Sequence, residues 1–419
     1  MVWRLAVIVA VAGLCMTGQV AQAGRVRGVP LPDNVSVAAA PDSAPQPAGS
    51  FLGAWIGTWS GSIPHVLIVE RVDPDGKGAQ VVYALAASPD YGIESQWSRR
   101  RAIISGTTLT LEGAVPATYT LDGDTLRATY QPVRDYARMR RAALSDLTEA
   151  ATGLDWSEPR KVFVDGPVEN GATTRLEVAL FRPSGPGPFP LLVFNHGSTG
   201  LGRDPARFTQ TYWSFPLADE LVRRGWMVAF PQRRGRGRSD GLYDEGFDPD
   251  RSRGYTCDAP IALAGAERAL ADVAAAVTAL RRRDDVAAGP ILIGGQSRGG
   301  VLSIAFAGRH PDLVRGVVNV VGGWLGEACG SAAEVNATLF RIGGAFPGPT
   351  LWLYGHRDPY YSVAHSRRNF EAFRAAGGTG EFLAFDVPGG VGHAVGWYRE
   401  LWQEPVGRFL DRLAETSPR

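Results

Sequence analysis

Residues Ile291 to Gly300 read ILIGGQSRGG. Three apolar residues run into Gly295-Gln296-Ser297-Arg298-Gly299, a G-x-S-x-G, and VLSIAFAGRH follows with the composition of a helix. The pattern alone decides little. The chain holds 52 glycines in 419 residues and offers a second match at Gly237-Arg238-Ser239-Asp240-Gly241. Context separates the two. A serine lifted above a sheet on a strained strand-to-helix turn needs a strand before it, a helix after it and small flanking residues that keep Cβ atoms apart. Ser297 has this setting. Ser239 lies well beyond the strand ending near Pro231 and precedes GLYDEGFDPD, which cannot form a helix, so it reads as a loop serine.

Outward from this stretch, strands and helices alternate from Lys161 to the C-terminus. The strand candidates are KVFV, RLEVALF, LLVFNHG, WMVAFPQ, ILIGGQ, VRGVVNVVGG, TLWLYG and EFLAFDV. The first two are joined without a helix, while the later ones alternate with stretches such as APIALAGAERALADVAAAVTALRRR. Continuous apolar strands alternating with helices predict a mostly parallel eight-stranded sheet with helices on both faces, over residues 161–419.

The chain before it reads differently. MVWRLAVIVAVAGLCMTGQVAQAG has one early positive charge, an apolar run and Ala21-Gln22-Ala23, the layout of a signal peptide cleaved near Ala23. Its apolar run is too short for a permanent membrane anchor. Residues 24–50, rich in Pro, Ala and Ser, read as a flexible linker. Residues 51–131 alternate at period two between turn pairs such as Asp75-Gly76 and Asp122-Gly123, which predicts a small antiparallel β-barrel or sandwich with Trp55 and Trp59 in its core. Residues 132–160, including RDYARMRRAALSDLTEA, have a helical composition and read as a connector. A net charge of +1 gives no global bias toward nucleic acid or membrane. Removal of the signal segment leaves Cys257 and Cys329, an even number that permits one disulfide in an exported protein, with buried free thiols as the competing reading.

A serine hydroxyl needs a base. Of six histidines, His393 lies in DVPGGVGHAVG, directly after the last strand. In a doubly wound sheet, side chains at the carboxyl ends of the strands converge on one edge, and His393 is there without helical constraint. An acid must orient the imidazole. Asp358, just after the seventh strand in LWLYGHRDPYY, is the first candidate, and Asp386 at the end of the last strand is the second. The oxyanion calls for the backbone N–H of Arg298, after the nucleophile, and an N–H from FNHGSTG, that of Ser198. His196, Tyr360, Tyr361 and Trp324 are candidate pocket residues, with ordinary packing as the competing reading.

These residues, in the order Ser297, Asp358, His393, resemble the α/β-hydrolase superfamily from roughly Lys161 onward, and within it dienelactone-hydrolase-like and acetyl-esterase-like serine hydrolases. RRGRGRSDG is similar to the R-G-x-G-x-S loop that many members place after the fourth strand, which makes Ser239 a scaffold residue. The Ser297-Arg298 step is similar to one in some carbohydrate esterases that cleave uronate esters. There the guanidinium can reinforce the oxyanion hole. For Arg298 that role stands against a surface-facing residue of the first helical turn. The N-terminal β domain is outside the resemblance. The expectation is an exported serine hydrolase, periplasmic or secreted, cleaving a small-molecule or glycan ester through an acyl-enzyme, with no metal, organic cofactor or nucleic acid implied. A serine aminopeptidase or dipeptidyl peptidase of the same fold and a non-catalytic cell-envelope binding protein are the alternatives.

Overall fold

Period-two alternation builds the first unit, and both faces of its strands are used. Along Ile63–Val72, His65, Leu67 and Val69 point to one side while Val66 and Ile68 point to the other, and all are buried. The computed structural model describes residues 25–26, 29–41, 46–59, 63–87, 95–113, 117–130, 135–147, 159–183, 185–387 and 390–415. The expected signal segment lies outside the described residues. The chain divides into two compact units, Met1–Glu158 and Pro159–Arg419.

In the first unit, β1 (Arg25–Val26) and β2 (Val29–Pro30) form a short antiparallel pair. The strands β3 (Gly53–Trp59), β4 (Ile63–Val72), β5 (Gly78–Leu85), β6 (Gln96–Ser105), β7 (Thr108–Leu111), β8 (Ala117–Asp122), β9 (Thr125–Tyr130) and β10 (Asp135–Ala142) close a barrel in the order β10-β3-β4-β5-β6-β7-β8-β9. Its interior holds Trp55, Trp59, Leu67, Val81, Leu109, Tyr119 and Met139.

Two expectations are corrected here. Residues 135–142 are not a helical connector. They form β10, paired antiparallel to both β9 and β3, and without them the barrel would not close. Ala137 and Met139 enter the core while Arg138 and Arg140 are exposed, so two pairing edges outweigh the helical preference of Ala, Arg and Met. The segment 24–50 is not simply a flexible linker either. Val29 and Leu31 are buried, and with Val35 and Val37 they pack on Ile56, Val66, Ile68, Val82 and Ala84, the outward face of β3 to β5. Ala38 N–H donates to Glu70 O at 2.8 Å, and the Arg99 guanidinium donates to Asn34 O and Oδ1 at 2.9 and 2.8 Å.

The barrel also buries a titratable group. His65 bonds Ala84 O through Nδ1 (2.8 Å) and the Tyr119 hydroxyl through Nε2 (2.9 Å), and burial pushes its pKa down from 6.5 to about 4. The unfolded chain therefore binds this proton at a pH where the barrel does not. The resulting stability is full above about pH 6.5 and is lost as pH falls toward 4, to a limit of about 3 kcal/mol. Thermal melts at about pH 7 and pH 4 are expected to show a larger loss for the wild type than for His65→Gln. Equal losses would remove His65 as the cause.

The second unit has the strands β11 (Arg160–Glu169), β12 (Ala172–Phe181), β13 (Leu191–Asn195), β14 (Met227–Pro231), β15 (Ile291–Gln296), β16 (Val314–Val320), β17 (Pro349–Gly355) and β18 (Thr379–Phe385). They form one sheet in the order β11-β12-β14-β13-β15-β16-β17-β18. β11, β12 and β14 pair antiparallel, and every later pair is parallel. The helices are α1 (Phe215–Arg223), α2 (Ala259–Leu280), α3 (Arg298–Arg309), α4 (Ala332–Gly343), α5 (Val363–Ala375) and α6 (Arg399–Glu415). α2 to α5 pack side by side as one layer, and α1 packs with α6. The carboxyl ends of β13, β15, β17 and β18 deliver their following loops to one edge of the sheet.

Candidate active site

The turn from β15 into α3 is forced by its neighbours. Ser297 has φ 55° and ψ −122°, a region that residues other than glycine rarely occupy. Its N–H donates to Val320 O (2.9 Å), and its carbonyl accepts from Gly300 (2.9 Å) and Gly323 (3.2 Å). Both flanking glycines are steric requirements. A Cβ on Gly295 would meet the Gly299 carbonyl carbon and oxygen at 2.3 Å, and one on Gly299 would meet Asn195 O at 2.0 Å. Neither clash is with a flexible side chain, so Gly299→Ala is expected to cost more than about 3 kcal/mol, in the range of severe core overpacking. Gly330, where a Cβ meets nothing within 4 Å, is the control, and Gly330→Ala should stay within about 0.5 kcal/mol of wild type. Chemical denaturation of the two variants checks this, and similar midpoints would contradict it.

Asp358 and His393 arrive on two loops joined backbone to backbone. A Cβ on Gly355 would meet Gly392 O at 2.3 Å, and one on Gly392 would meet Gly355 O and His356 O at 2.4 Å. This approach sets His393 beside Asp358, with Nδ1 2.8 Å from Oδ2. The Asp358 Oδ1 accepts from the N–H groups of Tyr360 (2.8 Å) and Tyr361 (3.1 Å), so both oxygens are fixed. With Nδ1–H donated to the carboxylate, Nε2 keeps the lone pair a base needs. Asp386 is exposed and takes no part in this pair.

Tyr361 links the two halves. Its ring lies 5.7 Å from the His393 ring and close over Gly323, where a Cβ would meet it at 2.5 Å. Burial pushes its phenol pKa up, opposed by the Arg298 charge and by contact with the Ser297 side chain. Among the described residues no hydrogen bond joins the Ser297 hydroxyl to His393, a contact that commonly tightens only when substrate is bound. Tyr360, 42% exposed, edges the His393 ring at 4.8 Å.

The remaining expected residues separate into two groups. Gly197 lies against Ser297, since a Cβ there would meet Ser297 Cβ at 3.1 Å, and this brings the backbone of Ser198 alongside. Arg298 opens α3, so its N–H has no acceptor within the helix. His196 and Trp324, by contrast, are supports and not pocket walls. His196 is buried, bonds Gly197 O through Nδ1 (2.8 Å) and accepts the Arg233 N–H at Nε2 (3.2 Å). Burial and the charges of Arg233 and Arg236 hold its pKa well below the usual range, so it stays neutral. Trp324 is buried and donates Nε1–H to Ala262 O at 2.8 Å. Ser239 is a structural pin: its hydroxyl accepts from Glu177 N–H (2.9 Å) and donates to Gln232 O (2.7 Å).

The side chain of Arg298 is not on the surface. It is 3% exposed, lies 3.7 Å from the Tyr255 ring and 4.3 Å from the Trp324 ring, and donates to Trp324 O (3.2 Å) and Glu245 O (2.7 Å). Cys257 and Cys329 are joined in a disulfide that ties the chain after Tyr255 to the chain after Trp324, the two residues that flank this guanidinium. Glu245 pairs with Arg233 and Arg298. Burial opposes its charge, yet those two arginines hold its carboxyl below the usual range. From the sequence alone, Arg233, Tyr243, Glu245 and Tyr255 were not singled out. The only signal was the arginine-rich RRGRGRSDG itself, whose composition does not show which arginines are buried.

Residues 190–348 match the family model described as alpha/beta hydrolase fold, a span that contains Ser297 and ends before Asp358 and His393. No curated protein sequence matches the chain. Among solved structures, Est1E from Butyrivibrio proteoclasticus with ferulic acid bound is 16% identical, over 61% of this chain and 100% of that one, with a TM-score of 0.44. An esterase from Pyrococcus furiosus is 17% identical, over 63% and 94%, with a TM-score of 0.45. At those scores the site's own geometry, and not these neighbours, must carry any chemistry. The family match, the strand order and the elbow at Ser297 agree that the second unit of this chain has the α/β-hydrolase fold, preceded by a separate antiparallel barrel.

Proposed function

We propose that the chain is a serine hydrolase that cleaves a carboxylic ester. The observation that carries this reading is a serine at positive φ whose side chain touches Tyr361, while the Tyr361 ring lies 5.7 Å from that of His393, whose Nδ1 faces Asp358 and whose Nε2 has no partner among the described residues. In this reading His393 takes the Ser297 proton as Oγ attacks the ester carbonyl. The N–H groups of Ser198 and Arg298 receive the oxyanion, and the alcohol leaves with the proton from His393. Water activated by His393 then attacks the acyl-enzyme and releases the acid. Export to the periplasm or medium is part of the proposal. It is supported by the layout of residues 1–23 and by the Cys257–Cys329 disulfide, a bond that persists in oxidising compartments.

The test pairs a fluorophosphonate probe with p-nitrophenyl acetate and with aminoacyl and dipeptidyl anilides. Labelling at Ser297 with turnover of the ester is expected. Anilide turnover without ester preference would make the chain a peptidase, and absence of labelling in the folded protein would remove the enzymatic reading.

A further inference from the structure

Tyr361 is held at both ends by the site. Its backbone N–H donates to Asp358 Oδ1 at 3.1 Å, so its position is tied to the acid. Its ring is buried, 4% exposed, and stacks on His365 at 6.4 Å. On the other side the ring lies against Gly323, where a Cβ would meet Cε1 at 2.5 Å and Cζ, the carbon that carries the hydroxyl, at 2.6 Å. The N–H of Gly323 in turn donates to Ser297 O at 3.2 Å. A bare glycine backbone is therefore all that separates the phenol from the serine turn. The hydroxyl itself touches the Ser297 side chain, and among the described residues no carbonyl or carboxylate takes it.

Packing alone does not account for a tyrosine here. A phenylalanine ring would fill the same space over Gly323 without carrying a polar group into the interior, where it is costly. Chemistry accounts for it better. Burial keeps the phenol protonated, so it has a hydrogen bond to give. A serine hydroxyl has one proton to donate and two lone pairs to accept with. A phenol that donates to Oγ leaves the serine proton free for His393 Nε2, and the two contacts do not compete. As that proton leaves, negative charge builds on Oγ, and a donor already on it gains the strength of a charge-assisted hydrogen bond.

We propose that Tyr361 is a further catalytic residue, whose hydroxyl donates to Ser297 Oγ as that oxygen attacks and again as it leaves. This rests on Ser297 acting as the nucleophile. In the attack the Oγ–H bond breaks toward His393 Nε2, Oγ bonds to the ester carbon, and the carbonyl electron pair moves onto the oxyanion. Tyr361 keeps its own proton throughout. In deacylation the bond from Oγ to the acyl carbon breaks, the departing oxygen accepts from Tyr361, and His393 returns the proton.

The test compares Tyr361→Phe with wild type in the full chain. Wild-type fluorophosphonate labelling at Ser297 tests the serine-hydrolase reading, and the variant tests only the phenol. Tyr361→Phe is expected to slow labelling about tenfold or more, because labelling is an attack by Oγ. The kcat/KM values for p-nitrophenyl acetate and ethyl acetate should fall by a similar factor, since the interaction is with Oγ and not with the alcohol that leaves. The variant keeps the ring over Gly323, so the fold should hold, and the labelling rate constant is read only from molecules that label. Labelling and turnover within twofold of wild type would overturn the proposal. So would unchanged labelling with slower turnover, or a loss confined to the ethyl ester, either of which would place the hydroxyl on the leaving alcohol.

Discussion

Ser297→Ala is expected to lower ester turnover by about 10⁶-fold, the loss seen when the nucleophile of a working triad is removed, while the protein keeps its fold. The small effect on folding follows from what holds the turn. The Ser297 backbone is fixed by Val320, Gly300 and Gly323, and those bonds do not involve the side chain. Ser239→Ala should behave in the opposite way. Its hydroxyl joins Glu177 N–H to Gln232 O inside the protein, so losing it strands two buried groups at a cost of about 1–3 kcal/mol. The fluorophosphonate label should remain, because the Ser239 hydroxyl is tied up between Glu177 N–H and Gln232 O. Paired activity and melting measurements on the two variants separate them. If Ser239→Ala were the inactive variant and Ser297→Ala the destabilised one, the assignment of the nucleophile would be reversed.

What could be read in the sequence followed from how local each determinant was. The elbow is written in ten consecutive residues, since strand, glycines and helix are adjacent in the chain. Asp358 and His393 could be placed because the doubly wound topology sends the ends of successive strands to one edge, so a position after a strand stands for a position in space. The strand at 135–142 was not legible. Its composition favours a helix, and what makes it a strand is pairing with β9 and, across some 80 residues, with β3. The ordered segment after residue 29 was hidden in the same way. Its four apolar anchors are scattered among Pro, Ala and Ser, and only the outward face of the barrel shows why they are there. For Arg298 both readings of its side chain stood open, and it proved buried, held by a glutamate 53 residues away.

That glutamate carries the second large effect. Glu245→Gln should destabilise the second unit by about 3–5 kcal/mol, the usual consequence of removing one partner from a buried ion pair. It is the shared anion of Arg233 and Arg298, so neutralising it leaves two guanidinium groups in the interior without their counter-charge. Arg298→Met should cost less, because Glu245 then keeps Arg233 and a long apolar side chain still fills the gap between Tyr255 and Trp324. The asymmetry distinguishes a shared anion from two separate pairs. It should also reach the chemistry. Glu245 accepts from the Tyr243 hydroxyl (3.0 Å), which bonds the Tyr255 hydroxyl (2.9 Å), and that group bonds Thr199 at both N (3.1 Å) and Oγ1 (2.9 Å). Thr199 follows Ser198 on the loop assigned to the oxyanion. A loosened chain would misplace that donor without deleting it, so kcat should fall about tenfold, less than the 10²–10³ that follows outright loss of a donor, with KM little changed. Denaturation midpoints and steady-state kinetics on Glu245→Gln and Arg298→Met check both parts. A Glu245→Gln protein as stable as wild type, or an Arg298→Met protein less stable than Glu245→Gln, would show that the carboxylate is not the hinge of this cluster.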